Sequence, residues 1–354
     1  MIDAQDLLKT AIRTNSVSGE EAEVAAYLVE QMASFCDKAF VDEAGNAVGK
    51  LGTGNLKVYF LGHIDTVPGD IEVRVENGNL YGRGSVDAKG SFCTAVAAAS
   101  RLGSETLEKI SLTLIGATEE EAPSSKGARY ALSAYDKPDL VIIGEPSAWD
   151  ALTLGYKGRL VAKLRVNKDN FHSAGEGTTA AEDVVAAWQV LKEAAESFNA
   201  DKEGIFSALQ IALQGIESSA DGLQQKAEAT VGYRLPPGLE PDELKKQILE
   251  QLGNLDNAAE VTFTGAEIAH RSKRDTPLTR AFRIAVREHG GKPRFKVKTG
   301  TSDMNVAAPL WNVPMLAYGP GDSALDHTPN EHLSLTEYEK AIAVLTTALE
   351  RLAK

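Results

Sequence analysis

Short apolar runs that end beside acidic residues or histidines constrain the possible fold and function of this chain more than any other feature of its sequence. Five such positions follow one another along the chain: His63, Asp87, the acidic run at 119–121, Glu145 and His327. Imidazole and carboxylate groups are the ligands that zinc and similar divalent ions prefer. Together the five positions predict a centre for two divalent metal ions, although none of them would do so alone.

The apolar runs alternate with segments of helical pattern. Residues 56–61, 110–117 and 140–143 are short and almost wholly apolar, as expected of strands that are covered on both faces. Residues 91–102 are predicted to form a helix whose small side chains would let it pack close to a sheet, and residues 127–132 are predicted to begin another helix. This alternation indicates an α/β fold with a mostly parallel sheet between helix layers.

The pattern changes near residue 158, where longer alternating segments replace the short apolar runs. Thr179 and Glu182 have the spacing of a capping box ahead of a long helix, and a second helix is predicted to begin at Pro241. Antiparallel strands are predicted at residues 159–166, 206–213, 227–235 and 261–263. We therefore predict a small α+β domain at residues 158–271, inserted into a metal-binding catalytic domain made of residues 1–157 and 272–354.

Near the N-terminus, we expect the first helix to begin at Ser18, whose hydroxyl would cap it with Glu21 three residues on. Cys36 and Cys93 are too few for a disulfide scaffold and lie in apolar, helical context. We expect both to be buried free thiols.

Composition and charge exclude several other classes of protein. The 354 residues have a formal net charge of -13 and a pI near 5.1, which argues against general binding to nucleic acid or anionic membranes. No run approaches the ~20 apolar residues of a membrane span, and the first residues lack the basic start and apolar core of a secretory signal. We expect a cytoplasmic protein with no nucleic-acid or membrane partner.

His63 and Asp65 are two residues apart, so on an extended segment their side chains point the same way. His63 could then bind a metal ion while Asp65 fixes its ring through the other nitrogen. For this motif by itself, a strand-end histidine beside a turn aspartate is the commoner case.

The acidic positions have ordinary alternatives too. Asp87 follows a glycine-rich turn and precedes a helix, where a carboxylate could bridge two ions or simply cap the helix. Glu119, Glu120 and Glu121 repel one another unless cations lie among them, because each negative charge raises the pKa of its neighbours; a solvated acidic turn is the alternative. Glu145 comes directly after an apolar strand, which places its carboxylate in the crevice at the carboxyl ends of the strands.

In these motifs and in their order, the sequence resembles the two-zinc aminoacylase and carboxypeptidase family, which includes acetylornithine deacetylase, succinyl-diaminopimelate desuccinylase and glutamate carboxypeptidase. The resemblance covers essentially the whole chain. It implies a two-zinc catalytic domain with an inserted lid, a homodimer formed through that lid, and hydrolysis of a linear amide bond. Cobalt or manganese could replace zinc, because both tolerate similar ligands.

The resemblance also implies roles for individual residues. The metal ligands would be His63 and Glu145 on one zinc ion, Glu121 and His327 on the other, and Asp87 as the bridge. Asp65 would orient His63. Glu120 would be the general base that takes a proton from the attacking water and delivers it to the leaving amine. In this alignment Glu119 matches the acidic residue that precedes the family's Glu-Glu pair.

Four further positions match residues of the lid and the substrate pocket in this family. His172 matches the lid histidine that reaches the partner subunit's active site, although Gly-Glu-Gly follows the motif where the family often has a proline. Arg234 matches a lid arginine that binds a substrate carboxylate, a pairing that guanidinium makes in bidentate form; the acid usually found two residues earlier is Gly232 here. Thr301 and Ser302 match a segment that lines the pocket, and without the resemblance they would indicate a helix start.

Residues 62–69, 119–127 and 154–159 narrow the resemblance to a branch of the family in lysine biosynthesis. Those hydrolases release lysine, sometimes ornithine, from the C-terminal γ-glutamyl group of a small acidic amino-group carrier protein. Because this chain is itself acidic, docking of such a carrier would need a local basic patch. A candidate combines residues 270–274 with four cations of alternating spacing: Lys292, Arg294, Lys296 and Lys298. On a strand those four would share one face, and the alternative is an edge strand protected by its charges.

Two functional alternatives stay open at this point. An acetylornithine deacetylase, or another amidohydrolase of N-acyl amino acids, would use the same metal centre without needing the basic patch. A non-catalytic protein that binds metal and an amino acid would have no use for a base, so Glu120, Asp65 and His172 favour an enzyme.

Overall fold

The computed structural model describes residues 2–172, 176–253 and 259–354, and the chain divides into two compact units. The first unit comprises Met1–Gly155, Arg271–Val297 and Ser302–Lys354, and the second comprises Tyr156–His270 and Lys298–Thr301. Each unit has its own cluster of buried apolar side chains, as expected of domains that each fold around one core.

The described residues form the following strands and helices, numbered in chain order. The strands are β1 (Lys38–Val41), β2 (Ala47–Leu51), β3 (Leu56–His63), β4 (Arg74–Glu76), β5 (Asn79–Tyr81), β6 (Ile110–Ala117), β7 (Leu140–Gly144), β8 (Ala151–Tyr156), β9 (Gly158–Asp169), β10 (Gln210–Ala220), β11 (Gln224–Leu235), β12 (Glu260–Glu267), β13 (His270–Arg271), β14 (Arg294–Lys298), β15 (Met315–Ala317) and β16 (His332–Ser334). The α-helices are α1 (Ala4–Arg13), α2 (Ala22–Ala33), α3 (Lys89–Ala99), α4 (Ser104–Leu107), α5 (Lys126–Ala134), α6 (Ala180–Phe198), α7 (Pro241–Leu252), α8 (Pro277–Glu288), α9 (Asp303–Trp311) and α10 (Leu335–Leu352).

The main sheet of the first unit is parallel at its centre and antiparallel at its flanks. Its strands run in the order β1-β2-β6-β3-β7-β15-β8-β13, with β14 also paired to β8. Strands β6, β3, β7 and β15 are mutually parallel. Neighbouring residues of β3 face opposite sides, since Tyr59 packs against Trp311 of α9 and Phe60 against Phe92 of α3. The sheet is therefore covered by helices on both faces, which confirms the α/β prediction.

The carboxyl ends of three neighbouring parallel strands come out level with one another. In the β3–β6 ladder His63 pairs with Ala117, and in the β3–β7 ladder Gly62 pairs with Gly144. A Cβ at Gly144 would lie 2.9 Å from the Gly62 Cα atom, so both positions need glycine for the strands to approach this closely. The residues that follow these strand ends are thus brought side by side.

The N-terminal prediction was wrong in two respects. Helix α1 comes first, capped by the Asp3 side chain, and was not predicted. Helix α2 begins after Glu21 and has no side-chain cap. The hydroxyl of Ser18 instead donates to the Asp65 carboxylate at 2.7 Å, because that buried acceptor competes for the only hydroxyl proton that Ser18 has.

The two cysteines differ in burial. Both are free thiols, but Cys93 is buried whereas Cys36 is only partly buried. The prediction that both are buried therefore holds for Cys93 alone.

The second unit contains one antiparallel sheet in the order β10-β11-β9-β12. Helix α6 begins with the predicted capping box between Thr179 and Glu182. Strand β10 begins at Gln210, later than predicted. The preceding residues are turned towards the buried amine of Lys157, which donates to the carbonyls of Ile205 and Ala208 and to the Gln210 side chain.

Among the residues that the structure describes, no helix has both the length and the apolar character needed to cross a membrane.

Candidate metal centre

The ring of His63 lies between Asp65 on one side and a cluster of carboxylates on the other. His63 is the last residue of β3 and only 1% exposed. Its Nδ1 atom lies 3.0 Å from the Asp65 carbonyl oxygen and 3.4 Å from Asp65 Oδ1. Its Nε2 atom faces the cluster, 3.3 Å from Asp87 and 4.0 Å from both Glu120 and Glu145. This is the arrangement expected of a metal-binding imidazole, with one nitrogen held and the other available.

The carboxylate of Asp87 divides its two oxygens between two histidines. Oδ1 lies 3.3 Å from His63 Nε2, and Oδ2 lies 3.1 Å from His327 Nε2. His327 Nε2 is also 2.7 Å from Glu121 Oε1. Two groups of potential ligand atoms share Asp87, and in each group the atoms lie within 4.8 Å of one another: His63 with Asp87 and Glu145, and Asp87 with Glu121 and His327.

Glu120 belongs to the cluster, and Glu119 points away from it. A third group of atoms within the same distance combines His63, Glu120 and Glu121. The carboxylate of Glu119 instead accepts a hydrogen bond from the Ser124 hydroxyl at 2.7 Å and lies 3.4 Å from the Lys126 amine. The acidic run is therefore divided, with two members facing His63 and one tied to the segment that leads into α5.

Asp65 fixes the backbone of the acidic run. It is fully buried and accepts hydrogen bonds from the Glu120 and Glu121 amides, each at 3.0 Å. Glu119, just before them, has a left-handed φ of 57°, a conformation that persists only where surrounding contacts hold it. By holding the next two amides, Asp65 sets the direction in which both carboxylates leave the chain.

Burial and crowding change the ionisation of the central groups. Removal from water raises the pKa of Glu120 well above its ordinary value; the nearby His63 opposes this, and the Glu145 and Asp303 carboxylates add to it. Burial alone would lower the pKa of His63, but the acids Asp65 and Asp87 raise it well above its usual range. The crowded carboxylates of the site therefore stabilise a positive charge placed among them.

His327 lies at the open side of the cluster, with 51% of its side chain exposed. Its hydrogen bonds to Asp87 and Glu121 raise its pKa to about 10. In the protein without metal, His327 is therefore a cation at neutral pH that occupies the place between two carboxylates.

The donor set fits a pair of divalent ions. It combines two imidazoles with carboxylates from Asp87, Glu121 and Glu145, which are the groups that zinc, cobalt and manganese accept. Four of these five side chains are nearly inaccessible to water, and only His327 is substantially exposed. Buried carboxylates packed this closely need compensating positive charge, and divalent ions would supply it.

The remaining predicted site residues lie outside these ligand groups. His172 is an exposed residue after β9, and the next three residues of its motif lie outside the described part of the chain. Arg234, at the end of β11, donates from Nη1 to the Thr301 hydroxyl at 3.2 Å within the second unit. Ser302 belongs to the first unit, is 3% exposed and caps α9.

Two buried acids make contacts in this region that were not predicted from the sequence. Glu21 accepts a hydrogen bond from the Glu119 amide at 3.1 Å. Glu331 accepts from the amides of Val86 and Asp87. Glu21 was predicted only as part of a helix cap, and Glu331 follows no apolar strand that would separate it from exposed loop acids.

We predict that binding of divalent metal near pH 7 releases protons. The raised pKa of His327 means that its proton stabilises the metal-free protein most fully below about pH 6.5, and this contribution is lost as the pH rises towards 10. A metal ion can bind only the neutral imidazole, so its affinity should rise with pH over the same range. Isothermal titration calorimetry in two buffers of different ionisation enthalpy would count the released protons. A heat that does not depend on the buffer would contradict the prediction.

The sequence is similar to known proteins over nearly its whole length. Residues 59–351 match the profile described as Peptidase family M20/M25/M40. The chain is 59% identical over 353 residues to a LysW-lysine hydrolase of Deinococcus radiodurans, covering 99% of this chain and 97% of that protein. It is 38% identical over 348 residues to a putative LysW-lysine/LysW-ornithine hydrolase of Thermococcus kodakarensis, covering 98% and 91% of the two chains.

A solved structure shows the same fold. The M20 family metallo-carboxypeptidase Sso-CP2 from Sulfolobus solfataricus superposes with a TM-score of 0.83 at 18% identity and covers 100% of both chains. The resemblance drawn from the motifs is therefore confirmed, and this chain belongs to peptidase family M20/M25/M40.

Proposed function

We propose that this protein is a two-metal amide hydrolase that releases lysine from the γ-glutamyl C-terminus of an amino-group carrier protein. The observation that carries the proposal is its 59% identity, over nearly the full length of both chains, to the Deinococcus radiodurans protein named as a LysW-lysine hydrolase. The Thermococcus kodakarensis relative is named for ornithine as well as lysine, and we propose lysine as the preferred amine.

In this proposal the five ligands divide as the distances suggest. One ion would be held by His63 and Glu145, the other by Glu121 and His327, and Asp87 would serve both. Zinc is the proposed metal, with cobalt or manganese as substitutes. When bound, such ions supply Lewis acidity that activates water and polarises the amide carbonyl.

Glu120 would be the general base and Asp65 the residue that positions His63. Glu120 is partly accessible, with 13% of its side chain exposed, beside the candidate ligands, and its raised pKa suits a carboxylate that accepts and then returns a proton. It would take a proton from water and pass it to the amine of the leaving lysine.

Arg234, Thr301 and Ser302 are the proposed substrate-binding residues. Arg234 pairs with the Thr301 hydroxyl, and a guanidinium is the group best suited to bind a carboxylate such as that of lysine. Ser302 would complete this segment. His172 would act in the site of a partner subunit and stabilise the oxyanion of the tetrahedral intermediate.

We predict that Glu120→Gln lowers the turnover of carrier-linked γ-glutamyl-lysine by about 10²- to 10⁴-fold, because the reaction loses its proton carrier. Glu119→Gln is the matched control, since it makes the same change one residue earlier on a side chain turned towards Ser124 and Lys126. Its rate should stay within a few-fold of the wild type. Lysine release by the metal-loaded proteins would be followed by chromatography, and equal losses in the two variants would contradict the role of Glu120.

The same assay tests the substrate. We expect fast release from the carrier-linked amide, slower release from free γ-glutamyl-lysine, and slower release of ornithine from the carrier. Acetylornithine should be the poorest substrate. Hydrolysis of acetylornithine at an equal or higher rate would assign the protein to the ordinary deacylases instead.

A basic segment in the first unit supports a protein substrate. Residues 271–297 contain nine Lys and Arg but only two Asp and Glu, a net charge of +7 within a chain whose total is -13, which leaves -20 elsewhere. Cations from different elements meet there. The guanidinium groups of Arg274 and Arg283 lie 5.8 and 5.9 Å from the centre of the Phe295 ring.

The four alternating cations of the predicted patch are not equivalent in the structure. Arg294 pairs with Asp150, the Lys296 amine donates to the Ser147 carbonyl, and Lys298 belongs to the second unit. The proposed docking surface for an acidic carrier is therefore centred on Lys273, Arg274 and Arg283 rather than on one face of β14.

We predict that Lys273→Glu combined with Arg274→Glu raises the KM for the carrier-linked substrate about tenfold at low salt, because two of the three charges proposed to attract the carrier are reversed. The kcat/KM for free γ-glutamyl-lysine should not change. The matched control is Lys38→Glu with Lys137→Glu, which makes the same change of charge at exposed positions away from the basic segment. The difference should shrink near 1 M salt, where charges are screened within about 3 Å. Equal effects of the two double variants would contradict docking at this surface.

We also propose that the protein is a homodimer joined through the second unit. Strand β10 is an edge strand of that sheet, 11 residues long. Residues 212–220 are all exposed, including Leu213 and Ile216, and Glu217 is the only charged residue of the strand. A long, exposed edge with so little charge is a template for pairing with another strand, and a second copy of β10 would satisfy it.

We expect Ile216→Lys combined with Ser218→Lys to convert the dimer into monomers, because charge on an edge strand opposes edge-to-edge pairing. The control is Val41→Lys, which places one charge at an exposed apolar residue of β1, an edge strand of the main sheet of the first unit. Sedimentation velocity would measure the oligomeric state. A monomeric wild-type protein, or a dimer that survives the double substitution, would contradict the proposal.

A further inference from the structure

Glu331 is a buried acid whose hydrogen bonds all reach the segment that carries Asp87. It is 0% exposed and lies between His327 and β16. Its Oε1 atom accepts hydrogen bonds from the Val86 amide at 2.9 Å and from the Asp87 amide at 3.1 Å. Its Oε2 atom accepts from Arg83 Nη1 at 2.8 Å.

The contacts of Glu331 extend to the glycine-rich turn before Asp87. The Glu331 carbonyl oxygen accepts a hydrogen bond from the Gly82 amide at 3.4 Å. Arg83 donates from Nε to the Gly69 carbonyl oxygen at 3.0 Å as well as to the Glu331 carboxylate. The turn at residues 82–87 is thus held at both of its ends by one residue.

Burying a carboxylate costs free energy that only well-placed partners offset. Glu331 has a guanidinium and two amides as partners, so its charge is compensated. The consequence is a rigid link between two chain segments that each carry a candidate ligand. His327 precedes Glu331 by four residues, and Asp87 is bound to it through the backbone.

The orientation of Asp87 depends on this link. Its two oxygens face His63 and His327 at 3.3 and 3.1 Å, so a small rotation of its backbone would move one oxygen away from its partner. Both oxygens are directed at candidate ligands, so the direction of the side chain depends on where its backbone is held. The fixed point is its amide, and Glu331 holds that amide.

We propose that Glu331 is a positioning residue that orients Asp87 for two metal ions by holding the amides of Val86 and Asp87. The proposal rests on the proposed two-metal function. Groups that orient a metal ligand from behind typically change metal affinity by about 10- to 100-fold when they are removed.

The test compares metal binding by Glu331→Gln, Glu331→Ala and the control Glu339→Gln. The control makes the same chemical change in an acid of the same unit that pairs with Arg101 at 3.3 Å, away from the candidate ligands. Metal-free proteins would be titrated with Co²⁺ and followed by calorimetry and by visible absorption, and their unfolding in urea would be measured in parallel. These readouts do not depend on enzyme activity.

We expect Glu331→Ala to weaken binding of at least one of the two ions by about 10- to 100-fold and to change the cobalt absorption spectrum. Glu331→Gln should have an intermediate effect, since its amide oxygen can still accept from the backbone but no longer neutralises Arg83. Glu339→Gln should stay within about twofold of the wild type.

Several outcomes would overturn the proposal. If the Glu331 variants bind two Co²⁺ ions with wild-type affinity and only unfold more easily, Glu331 is a structural residue. If Glu339→Gln weakens metal binding as much, the effect does not come from the Asp87 segment. If Glu331→Ala does not fold, Arg83→Gln replaces it in the test. We expect this variant to bind Co²⁺ several-fold more weakly than the wild type, and unchanged Co²⁺ binding would contradict the proposal.

Failure of the proposed function would look different. It would be seen in the wild type, as binding of fewer than two ions or as no hydrolysis of the carrier-linked amide. A wild type that binds two ions and hydrolyses this amide, together with Glu331 variants that bind both ions normally, would overturn the role of Glu331 alone.

Discussion

The buried side chain of Asp65 holds together three segments that are distant in sequence. It accepts hydrogen bonds from the amides of Glu120 and Glu121 and from the Ser18 hydroxyl, while one of its oxygens faces His63. Burial by itself would raise the pKa of Asp65, but these partners lower it, so it stays ionised in the core. Because an unpartnered buried charge is costly, the strand end, the acidic run and the N-terminal segment have to keep these positions together.

A second buried acid, Glu331, plays the same structural part in the candidate centre. Asp65 holds two consecutive amides behind Glu120 and Glu121, and Glu331 holds two consecutive amides behind Asp87. In both places a buried carboxylate fixes the backbone, and the backbone directs carboxylates that face the cluster. This arrangement keeps mutually repelling groups close together, which they would not do if they were free to move. Metal ions would then find their ligands already oriented.

Charge is distributed unevenly along the chain. The acidic cluster raises the pKa of His63 and of His327, which favours their positively charged forms. The chain is negative overall, whereas residues 271–297 have a net positive charge. The second unit contains Arg234, Thr301 and the exposed edge strand β10. The candidate metal centre, the basic segment and this edge strand therefore lie in separate parts of the sequence.

Much of the fold could be predicted from local pattern. Strand β6 has the predicted ends, β3 and β7 extend the predicted runs by two residues and one, and the capping box of α6 lies at Thr179 and Glu182. Burial of a strand and capping of a helix depend on residues close together in sequence. Helix α1 was missed, and the start of β10 was placed too early, because the loop before it is arranged around the buried amine of Lys157.

The sequence by itself determined which residues end the parallel strands, and therefore which side chains are available at one edge of the sheet. Only the tertiary structure decided how those side chains are aimed. Ser18 turns to Asp65 instead of capping a helix, Glu119 turns away from the cluster, and Glu331 meets the Asp87 amide across 244 residues of chain. Such contacts arise when a buried polar group selects its partner from everything that folding brings near it, and no local pattern encodes that choice.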